Sequence, residues 1–198
     1  MVTAGLLLAA GAGHRLGHPK ALLPYRGRLL VEHAADILTA AGCRPVLVVL
    51  GARADEVRAR TRLPGVLVND DWATGMGSSL RAGLDALTSS PAAAVVVTLV
   101  DQPDLTPEAV RRVARDATTG ALTVATYADG RRGHPVLLGR DHWPGVAEAA
   151  TGDRGARDYL RAQGPAVRLV PCDDVADDTD VDLPDQASHL PGRFSPRG

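Results

Sequence analysis

Aromatic side chains are scarce. One Phe, three Tyr and two Trp make up 3% of 198 residues, too few for the rows of stacking platforms that carry single-stranded nucleic acid. Charge of one sign is missing too. The net charge is −1, so no basic field draws the chain to nucleic acid, and any nucleotide is expected in a local site. Cysteine is limited to Cys43 and Cys172, which stand in no metal-type spacing; two isolated thiols lead us to expect a reducing, cytoplasmic setting without disulfides. No run approaches the roughly 18 apolar residues that span a membrane. Leu6-Leu7-Leu8-Ala9-Ala10 lacks a basic flank and has the length of a buried strand rather than of a secretory leader. Lysine is the last shortage. Of 22 basic residues only Lys20 is not arginine, so unless it survives by chance, Lys20 has a use that arginine does not fill.

What is present is an alternation of short apolar runs with helical periodicity. Residues 3–9, 45–50 and 66–68 read as strands, and residues 93–100, β-branched and uncharged, as the most buried one. Residues 30–41 repeat apolar side chains at helical spacing and end at Gly42; Leu80, Gly83, Leu84 and Leu87 trace a second helical face. Thr106-Pro107-Glu108 has the form of an N-cap followed by Pro at the first helical position. Later, residues 122–127, 135–138 and 166–170 read as strands and 155–163 as a helix, with room for antiparallel pairing. Strands with helices between them predict an α/β fold with a mainly parallel sheet covered on both faces. Residues 1–190 are expected to form one domain, and the Pro-, Gly- and Arg-rich residues 191–198 a mobile tail.

The chemistry concentrates in a few places. The loop from Leu8 to Lys20, LAAGAGHRLGHPK, has Gly11, Gly13 and Gly17 to let backbone N–H groups curl around an anion, and Arg15 and Lys20 to add charge. A loop whose glycines merely turn the chain is the plainer reading. The dinucleotide fingerprint is missed by one residue, and Pro19 before Lys20 breaks the P-loop pattern. Asp101 ends the most buried strand, where parallel α/β sheets bind ligands, and is a hard ligand suited to Mg²⁺; the alternative is a loop or capping role. Asp180 and Asp182 share one face if their segment is extended, unless that acidic stretch is simply solvated surface. Ser78 and Ser79, in the turn WATGMGSSL, stand at a helix N-terminus able to meet phosphate or a base edge, or to cap the helix. Gly133-His134-Pro135 and Gly152-Asp153-Arg154-Gly155 read as two polar loops.

LAAGAGHRLGHPKALLP, VVLGAR, WATGMGSSLRAGL, VTLVDQP, GHPVLL, GDRGARDYL and DVDLP occur in this order over residues 6–190. In this the chain resembles the MobA-like nucleotidyltransferases, and within them the molybdenum cofactor cytidylyltransferases. The resemblance implies a three-layer α/β/α sandwich like that of the sugar-nucleotide pyrophosphorylases. It implies a nucleotide held by Leu8, Ala9, Ala10, Gly11, Ala12, Gly13, Arg15 and Lys20, with Asp70 also in contact. It implies Mg²⁺ on Asp101 and Asp180, with Asp182 the other candidate, and an acceptor lined by Ser78, Ser79, His134, Asp153 and Arg154. LAAG rather than LAGG points to CTP, with molybdopterin as acceptor and a molybdoenzyme as client. Two rivals come from other classes: an NADP-dependent reductase in which Arg53 meets a 2′-phosphate, and a molybdopterin carrier without catalysis.

Overall fold

The computed structural model describes residues 1–180, with only the backbone of Asp129; Asp182 and the expected tail at 191–198 lie outside the described residues. The elements in chain order are β1 (Thr3–Ala9), β2 (Pro24–Tyr25), β3 (Arg28–Leu29), α1 (Leu30–Ala40), β4 (Val46–Leu50), α2 (Ala54–Arg60), β5 (Val66–Val68) and α3 (Met76–Leu87). They continue with β6 (Ala94–Leu99), α4 (Pro107–Ala114), β7 (Leu122–Tyr127), β8 (Arg131–Gly139), α5 (Trp143–Ala149), α6 (Arg157–Gln163) and β9 (Arg168–Pro171).

Seven strands form one sheet in the order β5-β4-β1-β6-β8-β7-β9. Every neighbouring pair is parallel except the two that involve β8, which runs against both β6 and β7. Alternation along β1 explains the layers. Leu7 and Ala9 join a core with Leu30, Leu38, Val57 and Val110, from α1, α2 and α4; Leu6 and Leu8 join a second with Leu80, Leu84, Val146 and Leu160, from α3, α5 and α6. The result is the three-layer sandwich with a mainly parallel sheet that the sequence predicts. Thr106 Oγ1 accepts from Ala109 N at 3.3 Å with Pro107 behind it, so the cap of α4 belongs to Thr106 and not to Asp101. Cys43 and Cys172 are free and buried, and burial pushes both thiols up to about 11. Among the described residues no helix is long and apolar enough to cross a membrane.

One expectation is overturned. Gly133-His134-Pro135 is not a loop but lies inside β8. The register passes from Val124↔Val136 to Ala125↔Gly133, so His134 and Pro135 are extra residues in a bulge, which tolerates a proline without a ladder N–H. Gly133 is needed there because a Cβ would stand 2.4 Å from Asp178 Oδ2.

Candidate active site

The strand order reverses at β1: the chain builds outward through β4 and β5, then returns to add β6 on the other side. Open α/β sheets leave a crevice at such a point, outside the carboxyl ends of the strands. The register puts the ends level, with Ala9 beside Leu50 and Leu8 beside Leu99. The segments leaving these strands therefore meet at one edge: Ala10 after β1, Gly51 after β4 and Asp101 just after β6. A cleft of about 470 Å³ opens there. Leu8, Ala10, Gly11, Ala12, Gly13, His14 and Lys20 form one wall, and Leu99, Val100 and Asp101 the floor.

The glycine loop folds back on itself. Gly13 has φ +64°, Leu16 N donates to Gly13 O at 2.9 Å, and a Cβ on Gly13 would lie 2.0 Å from His18 O. Gly13→Ala must therefore displace backbone. We expect about a tenfold loss of nucleotide affinity together with a lowered melting temperature, read by titration and thermal unfolding. The fold-back delivers Lys20 to the start of a 3₁₀ turn, Lys20–Leu22. Its Nζ then stands 2.7 Å from Asp101 Oδ2, across 81 residues of sequence. Both side chains are half-buried, at 18% and 17% exposure, so their charges act in a medium less screening than water. Asp101 Oδ1 is buried and has no hydrogen-bond partner.

The facing wall comes from the turn before α3 and from the α5–α6 connection: Trp72, Ala73, Gly75, Met76, Ser79 and Asp153. Asp153 Oδ1 accepts from Met76 N at 3.3 Å. A carboxylate thus occupies the positive end of α3, which disfavours a second anion on that wall and leaves phosphate to the glycine loop. Buried Asn69 donates through Nδ2 to Ser78 Oγ at 2.9 Å and to Ser79 Oγ at 3.0 Å. Ser78 spends its hydroxyl on the Asp71 and Gly75 carbonyls, whereas Ser79 faces the cleft.

Other residues implicated by the sequence lie away from the cleft lining. Ala9 points into the opposite core, Asp70 and Arg15 are exposed, and Arg154 pairs with Asp158 at 2.9 Å on the surface. Asp180 is exposed but joined to the site: Gln102 Nε2 donates to its Oδ1 at 3.3 Å. Gln102, Trp72, Met76 and His14 are additions. Trp72 and Met76 sit in the turn WATGMGSSL, whose polar members carry the sequence signal, and Gln102 is buried, an unusual place for an amide beside a strand end.

His134 sits in the β8 bulge within electrostatic reach of Asp101. Desolvation lowers its pKa to about 4, against the smaller opposing pull of Asp101 and Asp178, so the ring is neutral at pH 7. In an unfolded chain it would protonate near 6.5. Stability is therefore expected to be unaffected above pH 6.5, to fall as pH drops from 6.5 towards 4, and to lose up to about 3 kcal/mol to this group. Urea melts of the native chain and of His134→Gln across that window check it; the variant should lose the acid slope.

A mostly parallel seven-stranded sheet with helices on both faces is a nucleotide-diphospho-sugar transferase-like fold, and the chain has that fold. More narrowly, it belongs to the MobA-like NTP transferase domain family, which matches residues 5–167. It is 45% identical over 195 residues to the nicotine blue oxidoreductase of Paenarthrobacter nicotinovorans, covering 94% of this chain and 95% of that one. It is 34% identical over 145 residues to the molybdenum cofactor guanylyltransferase of Rhodobacter capsulatus, covering 72% and 66%. Among solved structures, Rv0371c of Mycobacterium tuberculosis H37Rv superposes with a TM-score of 0.81 at 33% identity, over 95% of this chain and 96% of that one. A second structure of Rv0371c is a complex with manganese, with a TM-score of 0.78 at 30% identity over 96% of this chain and 100% of that one.

Proposed function

We propose that the protein transfers a nucleotidyl group, CMP from CTP, to the terminal phosphate of a molybdopterin-type acceptor and releases pyrophosphate. The observation that carries this reading is the 2.7 Å contact of Lys20 with Asp101 beside the glycine loop. A cation for phosphate oxygens and a carboxylate for a metal reach the same point. The loop N–H groups and Lys20 hold the triphosphate, and Arg15 adds charge from the outer side of the loop. An acceptor phosphate monoester is already largely ionised at pH 7, its second pKa being about 6, so the reaction demands no general base. One acceptor oxygen bonds to the α-phosphorus as the bond to the β-phosphate oxygen breaks. The protein contributes alignment and charge complementarity. The preference for CTP rests on the LAAG sequence of Leu8 to Gly11, which resembles the cytidylyl branch.

The residues present suit Mg²⁺. Asp101 offers a buried oxygen with no protein partner. Among the described residues no three His, Cys, Asp or Glu side chains converge into a metal cage. That is compatible with an ion that takes one or two carboxylates and completes its shell with phosphate and water. Asp101 would hold it, with Asp180 as second carboxylate. Bound there, Mg²⁺ supplies positive charge to the phosphates. The manganese complex of Rv0371c supports a divalent ion in this family. A molybdoenzyme that receives the product is the client this reading implies; Ser79 and Asp153, on the wall facing the glycine loop, would meet the acceptor, whereas His134 is not among the residues that line the cleft.

The test is pyrophosphate release with CTP, GTP or ATP, with and without molybdopterin, in Mg²⁺ and in Mn²⁺. Release that requires both CTP and acceptor supports the reading in full; release with GTP or ATP alone moves the base preference. Binding of molybdopterin without release would make the protein a carrier. A second reading, a pyridine-nucleotide reductase, is favoured by the relative named nicotine blue oxidoreductase. Against it, Arg53, the residue suited to a 2′-phosphate, caps α2 and is ion-paired with Glu56, away from the cleft lining. Oxidation of NADPH with a quinonoid dye, without pyrophosphate release from any nucleotide, would decide for it.

A further inference from the structure

We propose that Trp72 is a specificity-determining residue whose indole stacks on a planar heteroaromatic ring of the bound substrate. The inference rests on the reading of this cleft as the substrate site and adds what the wall facing the phosphate loop is for. In a chain so poor in aromatics, the use of each one is informative. Tyr25, Tyr127 and Trp143 are buried in the cores, and Tyr159 is engaged with His142 at 2.9 Å. Trp72 is the one aromatic side chain, among the described residues, that lines the cleft.

Its surroundings are built to keep it there. Gly51, at the end of β4, lies directly beneath it: a Cβ on Gly51 would stand 2.4 Å from Trp72 Cβ and 2.6 Å from Cγ. The root of the side chain is therefore packed against backbone and has little freedom to swing. The ring nonetheless remains half-buried. Leaving part of a large apolar surface in water forgoes stabilisation that burial would give, and here the exposed part lines the cleft. The indole N–H of Trp143 donates to Leu138 O at 2.9 Å, whereas that of Trp72 has no acceptor among the described residues. It is available to a ligand. Ala73 and Met76 extend the apolar wall, and Asp153 on the helix end keeps phosphate away from it. A flat apolar face with one donor at its edge, opposite an anion-binding loop, matches a ring joined to phosphate. Both a nucleobase and the pterin of the acceptor have that chemistry.

The experiment is calorimetric titration of the full chain in Mg²⁺ with CTP, with a pterin phosphate and with inorganic triphosphate, on the native protein, Trp72→Ala and Trp72→Phe. Loss of one stacked ring weakens binding roughly tenfold or more. We expect that loss in Trp72→Ala for CTP or for the pterin phosphate, recovery to within about threefold in Trp72→Phe, and unchanged affinity for inorganic triphosphate. Loss confined to CTP identifies the ring as the nucleobase, and loss confined to the pterin identifies it as the acceptor's. Native-like binding of both ring-bearing ligands by Trp72→Ala, or an equal loss for inorganic triphosphate, would overturn the proposal. Quenching of tryptophan emission by the ring-bearing ligand, absent in Trp72→Phe, is a second readout that a structural role would not produce. Absence of pyrophosphate release with this binding pattern intact would sink nucleotidyl transfer and leave the stacking role standing.

Discussion

Lys20→Ala is expected to turn over nucleotide roughly 10²-fold more slowly than the native chain while remaining folded. The size reflects the group that is lost: one preorganised positive charge aimed at phosphate in a partly desolvated cleft. The fold should tolerate the change, because a partly exposed ion pair contributes only about 1 kcal/mol to stability. Lys20→Arg should recover little of the activity. Arginine is the ordinary cation of this chain, yet a planar fork does not reproduce a compact ammonium between a carboxylate and a phosphate.

Asp101→Asn makes the complementary test. It preserves shape and removes the charge on the oxygen pair from which the Mg²⁺ assignment starts. The variant should need more Mg²⁺ for half-maximal rate and lose a comparable factor in turnover; an unchanged Mg²⁺ titration would remove Asp101 from the metal site. The two substitutions also test whether their contact is functional. If both groups act on one bound triphosphate, the double variant should lose far less than the product of the single losses, because either change alone disables the same step. Independent, multiplicative losses would mean that the 2.7 Å contact merely brings together two unrelated groups.

Some of this was readable in one dimension and some was not, for physical reasons. Leu122–Tyr127 begins and ends where its β-branched and apolar pattern says, since a strand buried within a sheet leaves an uninterrupted signature. Val66–Val68 also keeps its expected bounds, although it is an edge strand with both valines exposed. Helix α2 left none: of its seven residues only Ala54 and Val57 are buried, which makes no stripe. The β2–β3 hairpin turns on Arg26 and Gly27 with φ 48° and 82°, and an arginine in that conformation is no recognisable turn signal. The β8 bulge hid because Gly133-His134-Pro135 has loop chemistry, and the glycine in mid-strand is explained by Asp178 Oδ2 and the Tyr127 ring, which a Cβ would meet at 2.4 Å and 3.1 Å. The loop and Asp101 were legible because both directly succeed buried strands, and strand ends in a parallel sheet converge on one edge. Trp72 was not, because its role depends on Gly51, a partner on another element whose small size matters only after folding. Asp70 and Arg154 show the converse: a motif carries a residue to the neighbourhood, and the backbone then turns the side chain outward.

Arg131 supports the site from outside the cleft, and its loss is expected to cost the fold heavily. Its Nη1 and Nη2 each donate at 2.6 Å to the two oxygens of Asp178. The Asp178 side chain is 4% exposed, whereas that of Arg131 is 60% exposed. The carboxylate is therefore the buried partner, and the arginine covers it from the solvent side. Behind Asp178, its carbonyl accepts from Gln102 Nε2 at 3.4 Å, and the same amide reaches Asp180 at 3.3 Å. The bridge thus holds the chain after β9 against the strand end that carries Asp101. Arg131→Ala leaves a desolvated carboxylate without its cation, and we expect a loss of about 2–3 kcal/mol, discounted from the fully buried case because the guanidinium is partly solvated. Adding Asp178→Asn to that variant should restore part of the loss, since the unpaired charge and not the missing contact is the main cost. Denaturant melts of the two single variants and the double variant measure the coupling. A loss below about 0.5 kcal/mol in Arg131→Ala would show that water reaches Asp178 as readily as the arginine does. Asp180 would then owe its place beside Gln102 to something other than this bridge.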